Sequence, residues 1–163
     1  MAYLRIFIAW EDLLEETFLR FLCGYVTPTY TPQFIPPRSS YSSIAAAQVA
    51  LYSCADFLLW HNPDKAITRC GRWFVSGLHT RVVSSQRADV EALAKVRHRI
   101  AHGSTQVKQE MHAASLHLAG RRYPGASAGR FLRDWKADDP LVRERRLRVV
   151  ANQLTGLARQ LAP

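Results

Sequence analysis

The sequence predicts an all-α fold, an up-down bundle of four to five long helices. Three observations predict it. Apolar residues recur at three- and four-residue spacing along most of the 163-residue chain, the period of a helix with one buried face. No run alternates apolar and polar residues as a half-buried strand does. The periodic stretches are separated by short Gly, Pro, Ser and Asn punctuation. The length suits one domain over residues 1–163, and no internal repeat divides it.

The first helix is predicted in "AYLRIFIAWEDLLEETFLRFLCG", where Leu4, Phe7, Leu14, Phe18 and Phe21 share a face and Gly24 is the stop. Pro28, Pro32, Pro36 and Pro37 then impose an extended connection. A serine cluster caps a second helix, "YSSIAAAQVALYSCADFLLWHN", with Ile44, Ala47, Leu51, Ala55 and Leu58 on one face. Asn62 and Pro63 mark a break and the first turn of a third helix, "DKAITRCGRWFVSGLHTRVV", striped by Ile67, Cys70, Phe74, Leu78 and Val82. "SSQ" caps a fourth, "RADVEALAKVRHRIA", closed by Gly103; Ser104 or Thr105 opens a fifth, "QVKQEMHAASLHLAG". "GRRYPGASAGRF" reads as a basic Gly- and Ser-rich loop. A long final helix follows, with Asp138 or Asp139 as cap, Pro140 in its first turn, and a stripe of Leu147, Val150, Leu154, Leu157 and Leu161.

Composition narrows the function classes. The chain is 48% hydrophobic and 21% charged, the balance of a packed globule. Its net charge is +9, and only four of the 22 basic residues are lysine: Lys65, Lys95, Lys108 and Lys136. Arginine forks bidentately onto phosphate, so this excess points towards nucleic acid. Codon bias in a GC-rich gene is the alternative origin of the same surplus. Cys23, Cys54 and Cys70 are odd in number, widely spaced and form no CxxC pair. That fits a reducing compartment and argues against a disulfide framework or a zinc knuckle. The N-terminal stretch lacks a basic start and a small-residue cleavage site, and no apolar run is long enough to span a bilayer. The expected location is cytoplasmic.

The informative stretch is "VRHRIAHGS", residues 96–104. On the fourth helix the apolar stripe is Val90, Leu93, Ala94 and Ala101, with Ile100 beside it. Arg97 falls on that stripe, four residues after Leu93 and three after Ala94. A guanidinium in a core requires a partner. Arg97 therefore meets a buried carboxylate such as Glu11, Glu15 or Glu16, faces another subunit, or lines a cleft. On an unbroken helix His102 is roughly 140° further around. A helix end at Gly103 lets the backbone turn His102 back towards Arg97. For His102 the alternative is a helix C-cap, where an imidazolium meets the negative end of the dipole. His98 and His102 also form H-x3-H, a metal-ligand spacing, but Arg99 stands where a metalloprotease needs glutamate, and no third ligand is evident.

This R-x4-H-G placement resembles the HEPN family (higher eukaryotes and prokaryotes nucleotide-binding). "ALAKVRHRIAHG" is similar to that family's apolar-Arg-polar-x-x-Ala-His-Gly segment, and Glu16 in "LEETFLRFL" is similar to a first-helix acidic residue of prokaryotic members. The resemblance implies a compact helical bundle and a metal-independent endoribonuclease of toxin–antitoxin or phage-defence systems. It implies Arg97 and His102 as the active-site pair, and a dimer in which two such motifs face one another. The chain departs from the pattern at His98, where asparagine or another polar residue is common. It also has Ser104 where a nucleotide-transferring subset carries tyrosine.

The residue types fit RNA cleavage with no cofactor. RNA brings its own nucleophile, the 2′-OH. Cleavage needs a base for that proton, an acid for the leaving 5′-oxygen, and a cation on the phosphate. Histidine serves either proton role near neutral pH, and arginine supplies the bidentate charge. His102 and Arg97 lead these roles, with His98 and Glu16 as further members. Arg99, Arg121 and Arg122 are candidate RNA contacts, and Arg143, Arg145, Arg146 and Arg148 read as a solvated basic face. His112 and His117 are expected on the partly solvated surface of the fifth helix. Trp10, Trp60, Trp73 and Trp135 are expected to be core. The expected partners are RNA, a second copy of the chain, and a cognate antitoxin or neighbouring defence protein, with no membrane. Two other readings remain: a non-catalytic module binding nucleotide, RNA or protein, and a basic helical DNA-binding regulator whose fourth and fifth helices form a helix-turn-helix.

Overall fold

A computed structural model describes residues 2–53, 58–136 and 144–162. The fold is all-α. Among the described residues there are eight α-helices and a short 3-10 turn, with isolated bridges and no strand. The helices are α1 (Ala2–Leu22), α2 (Ile44–Tyr52), α3 (Pro63–Trp73), α4 (Leu78–Ser85), α5 (Arg87–Ala101), α6 (Thr105–Ala119), α7 (Ala128–Arg133) and α8 (Arg146–Leu161). No described helix is long and apolar enough to cross a membrane. Ala55, Cys54, Asp138, Asp139, Pro140 and Arg143 lie outside the described residues.

The contacts group into two compact units, Met1–Ile8 with Ala88–Gly156 and Ala9–Arg87 with Leu157–Pro163. In the second unit, Trp10, Leu14, Phe18, Phe21 and Leu22 of α1 are buried. Gly24 (φ +81°) closes α1 in a left-handed cap: its N–H donates to the Phe21 carbonyl, and the Tyr25 N–H reaches Arg20. Ser43 caps α2 by accepting from the Ala46 N–H, and Asn62 caps α3 by accepting from Lys65, with Pro63 in the first turn.

The predicted third helix is two helices. Phe74 leaves helical geometry (φ −122°, ψ 140°) and pairs with Phe34 of the proline-rich connection. The Ile35 N–H donates to Trp73 O and the Val75 N–H to Gln33 O, both at 2.9 Å. These tertiary hydrogen bonds outweigh the helical propensity of a continuous apolar stripe. Gly77 starts α4. A Cβ there would come within 1.9 Å of Cys70 Sγ, so glycine is fixed by close approach.

In the first unit, Tyr3 and Phe7 of α1 are buried with Val90, Leu93 and Val96 of α5, Met111 and Ala114 of α6, Phe131 of α7, and Val150 and Leu154 of α8. The Tyr3 hydroxyl donates to the Leu93 carbonyl at 2.7 Å. Tyr3 thus takes the buried place assigned to Leu4, which is half-buried. The stretch read as a loop contains α7, because Ser127 caps it and Phe131 anchors it in the core. Trp10 and Trp60 are core as expected, whereas Trp73 is half-buried and Trp135 is exposed beneath the Arg145 guanidinium, 3.8 Å from its ring centroid.

Candidate functional site

The site grows from the end of α5. Val90, Leu93, Ala94 and Val96 are buried and fix the rotation of the helix. Arg97, His98 and Arg99 are half-buried on its last turn, whereas Ala101, assigned to the stripe, is exposed. The His102 N–H donates to the His98 carbonyl at 2.8 Å, so the backbone keeps helical pairing for one residue beyond the helix end. Ser104 then caps α6 by accepting from the Val107 N–H. His102 is exposed, and its ring lies 6.2 Å from that of His98 at 70°. The structure thus brings both imidazoles and two guanidinium-bearing residues to one helix end.

Arg99 has a positioning role that the sequence did not disclose. Its Nη1 donates to the His102 carbonyl at 3.1 Å and its Nε to the Ala126 carbonyl at 3.0 Å. It ties the end of α5 to the turn Pro124–Ala126, where Gly125 and Ala126 both have positive φ. Arg99, Ile100 and Arg130 of α7 border a shallow cavity of about 580 Å³ beside that turn. Arg130 is the cation that sequence reasoning missed here.

Glu16 belongs to the other unit, exposed and paired with Arg20. Glu11 and Glu15 also have partners there: Glu11 with His61 at 3.0 Å, and Glu15 with the Tyr52 hydroxyl at 2.7 Å and Trp60 Nε1 at 2.8 Å. Arg121 is exposed, stacks on Tyr123 and pairs with Asp134, and Arg122 is exposed beside it. Burial raises the Asp134 pKa, but the Tyr123 hydroxyl and Arg121 outweigh it and hold the carboxyl below its usual range.

The solvated basic face needs correction at Arg146. That residue is 8% exposed, lies over Phe131 and donates to the Leu118 carbonyl at 2.7 Å, because its stem continues the buried face of α8. His117 is exposed as expected, with Nε2 2.7 Å from Asp89, whereas His112 is half-buried. Among the described residues no group of three or more His, Cys, Asp or Glu side chains is placed to hold a metal ion. No protein-family model, curated protein or solved structure matches the chain.

Proposed function

We propose that this protein is a metal-independent endoribonuclease resembling the HEPN family, a cytoplasmic toxin or phage-defence effector built on an up-down helical bundle. The carrying observation is the pair of imidazoles, His98 and His102, 6.2 Å apart at a helix end that also bears Arg97 and Arg99. One imidazole removes the 2′-OH proton, the oxygen attacks phosphorus, and an imidazolium protonates the departing 5′-oxygen. The products are a 2′,3′-cyclic phosphate and a 5′-hydroxyl end. Arg97 stabilises the charge on the phosphorane oxygens. A two-fold dimer doubles the set, supplying acid and base from identical residues. Arg121, Arg122 and Arg130, exposed on the segment tied to α5 through Arg99, give RNA phosphates a basic approach.

The test is cleavage of a mixed-sequence RNA in excess EDTA by the folded parent and by His102→Ala. Cyclic-phosphate products from the parent, and their loss in the variant, support the reading. Equal cleavage by both would refute the role of His102, and RNA binding by the parent without cleavage would replace the reading with a binding module. Sequence-specific duplex binding without cleavage would favour the DNA-binding alternative, for which the short α5–α6 turn is the relevant feature.

A further inference from the structure

The unit that does not carry His102 holds a cavity which the cleavage chemistry leaves unused. Lys65, Arg69 and Arg72 follow one another along α3 at spacings of four and three, which places them on one face. Arg38 joins them from the proline-rich connection, its guanidinium 4.6 Å from the Trp73 ring centroid. These four cations, with Trp73 and Leu58, border a cavity of about 440 Å³. That volume is within the range of small-molecule sites.

Arg69 is the anchor. It stacks on Trp60 at 4.3 Å and donates through Nη2 to the Leu58 carbonyl. Its Nη1 is buried, with no hydrogen-bond partner among the described residues. A buried guanidinium N–H without an acceptor is costly, so native structures rarely leave one. Two described carboxylates nearby, Asp64 and Glu15, are engaged elsewhere. Asp64, on the cavity wall, pairs with Arg87 at 2.7 Å. The oxygens of Glu15 accept from Tyr52 and Trp60. The cavity therefore has an excess of fixed positive charge and an apolar wall.

We propose that this cavity binds a small phosphomonoester with an apolar or aromatic body, its phosphate held by Arg69, Arg72 and Lys65 and its body against Trp73 and Leu58. The phosphate oxygens match the guanidinium and ammonium donors that border the cavity. The inference does not rest on the ribonuclease reading.

Isothermal titration of the full chain tests it, with phenyl phosphate, inorganic phosphate and phenol as probes. Phenyl phosphate should bind more tightly than inorganic phosphate, and phenol should not bind. Lys65→Glu and Arg72→Glu change exposed side chains, so circular dichroism should show folded proteins. Each should weaken phenyl phosphate by about 10-fold or more, the scale of a charge-assisted hydrogen bond. His102→Ala should leave this binding unchanged. No binding of phenyl phosphate to the folded parent at millimolar concentration overturns the proposal. So does binding that survives both charge reversals. Weakened binding of a short RNA in both variants, with no phenyl phosphate bound, would also overturn it in favour of a strand-binding surface.

Discussion

Acid should destabilise this protein through one histidine. His79 is 1% exposed, at the centre of an aromatic cage whose ring centroids lie 5.3 Å away for Phe18, 5.7 Å for Phe21 and 6.3 Å for Trp60. Its Nε2 is 2.9 Å from the Leu14 carbonyl and 3.0 Å from the Thr17 hydroxyl. That hydroxyl donates to the Leu13 carbonyl at 2.6 Å, so Nε2 carries the proton and the neutral ring satisfies the site. Burial pushes the pKa from 6.5 down to about 4, with the Leu14 carbonyl only partly opposing it. The unfolded chain therefore takes up a proton below 6.5, whereas the native chain refuses it until about 4. The stability this group contributes is complete above 6.5 and is lost as pH falls through that window. At about 1.4 kcal/mol per pKa unit the loss amounts to about 3 kcal/mol, a large part of a small domain's stability. The measurement is urea unfolding of the parent and His79→Leu at several pH values between about 7.5 and about 4. The parent should lose about 3 kcal/mol more than the variant on acidification. Parallel losses in the two proteins would refute the assignment.

Four further outcomes are expected. His102→Ala and Arg97→Lys should each lower RNA cleavage by about 10²-fold, the scale of a lost proton-transfer group or a lost bidentate clamp, in a gel assay run in EDTA. Light scattering should show a two-fold dimer at assay concentration, and a fully active monomer would count against a composite site. Gly77→Ala should destabilise by about 1–3 kcal/mol through overpacking against Cys70, and adding Cys70→Ala should recover most of the melting temperature. Asp134→Asn should lower the melting temperature at neutral pH. Because the folded carboxyl has a depressed pKa, the parent should lose that advantage only as pH falls below the ordinary carboxylate range.

What the sequence disclosed and what it hid divide along physical lines. α1 was legible because its apolar repeat is long and is closed by a glycine that adopts the left-handed cap. The serine caps of α2 and α6 were legible, as a serine cluster and as Ser104 or Thr105, because each is a local contact between a side chain and a nearby N–H; Asn62 reads in the sequence only as a break, and it caps α3. The break at Phe74 was not, since it depends on a pairing with Phe34, forty residues earlier. α7 was hidden because six residues are too few for a periodic signal and its Gly and Ser content mimics a loop. At the candidate site, the helix end at Gly103 predicts that His102 turns back towards Arg97; in the structure the His102 N–H keeps helical pairing to the His98 carbonyl and its ring lies beside that of His98. Arg99 could not be placed, because its acceptors at His102 and Ala126 are carbonyls, which leave no mark in a sequence. The cavity on α3 was invisible for the same reason: it needs Arg38, which only tertiary structure brings to that helix face.

The two hydrogen bonds of Arg99 have a consequence for any anion arriving at the end of α5. A free arginine side chain samples many rotamers, and ordering it on encounter costs about 2 kcal/mol of entropy. Here that ordering belongs to folding, because two backbone carbonyls already fix the guanidinium. The same bonds hold the His102 main chain. An approaching phosphate thus meets a cation of settled orientation on the segment that bears the imidazole, and association there needs little further immobilisation of the protein.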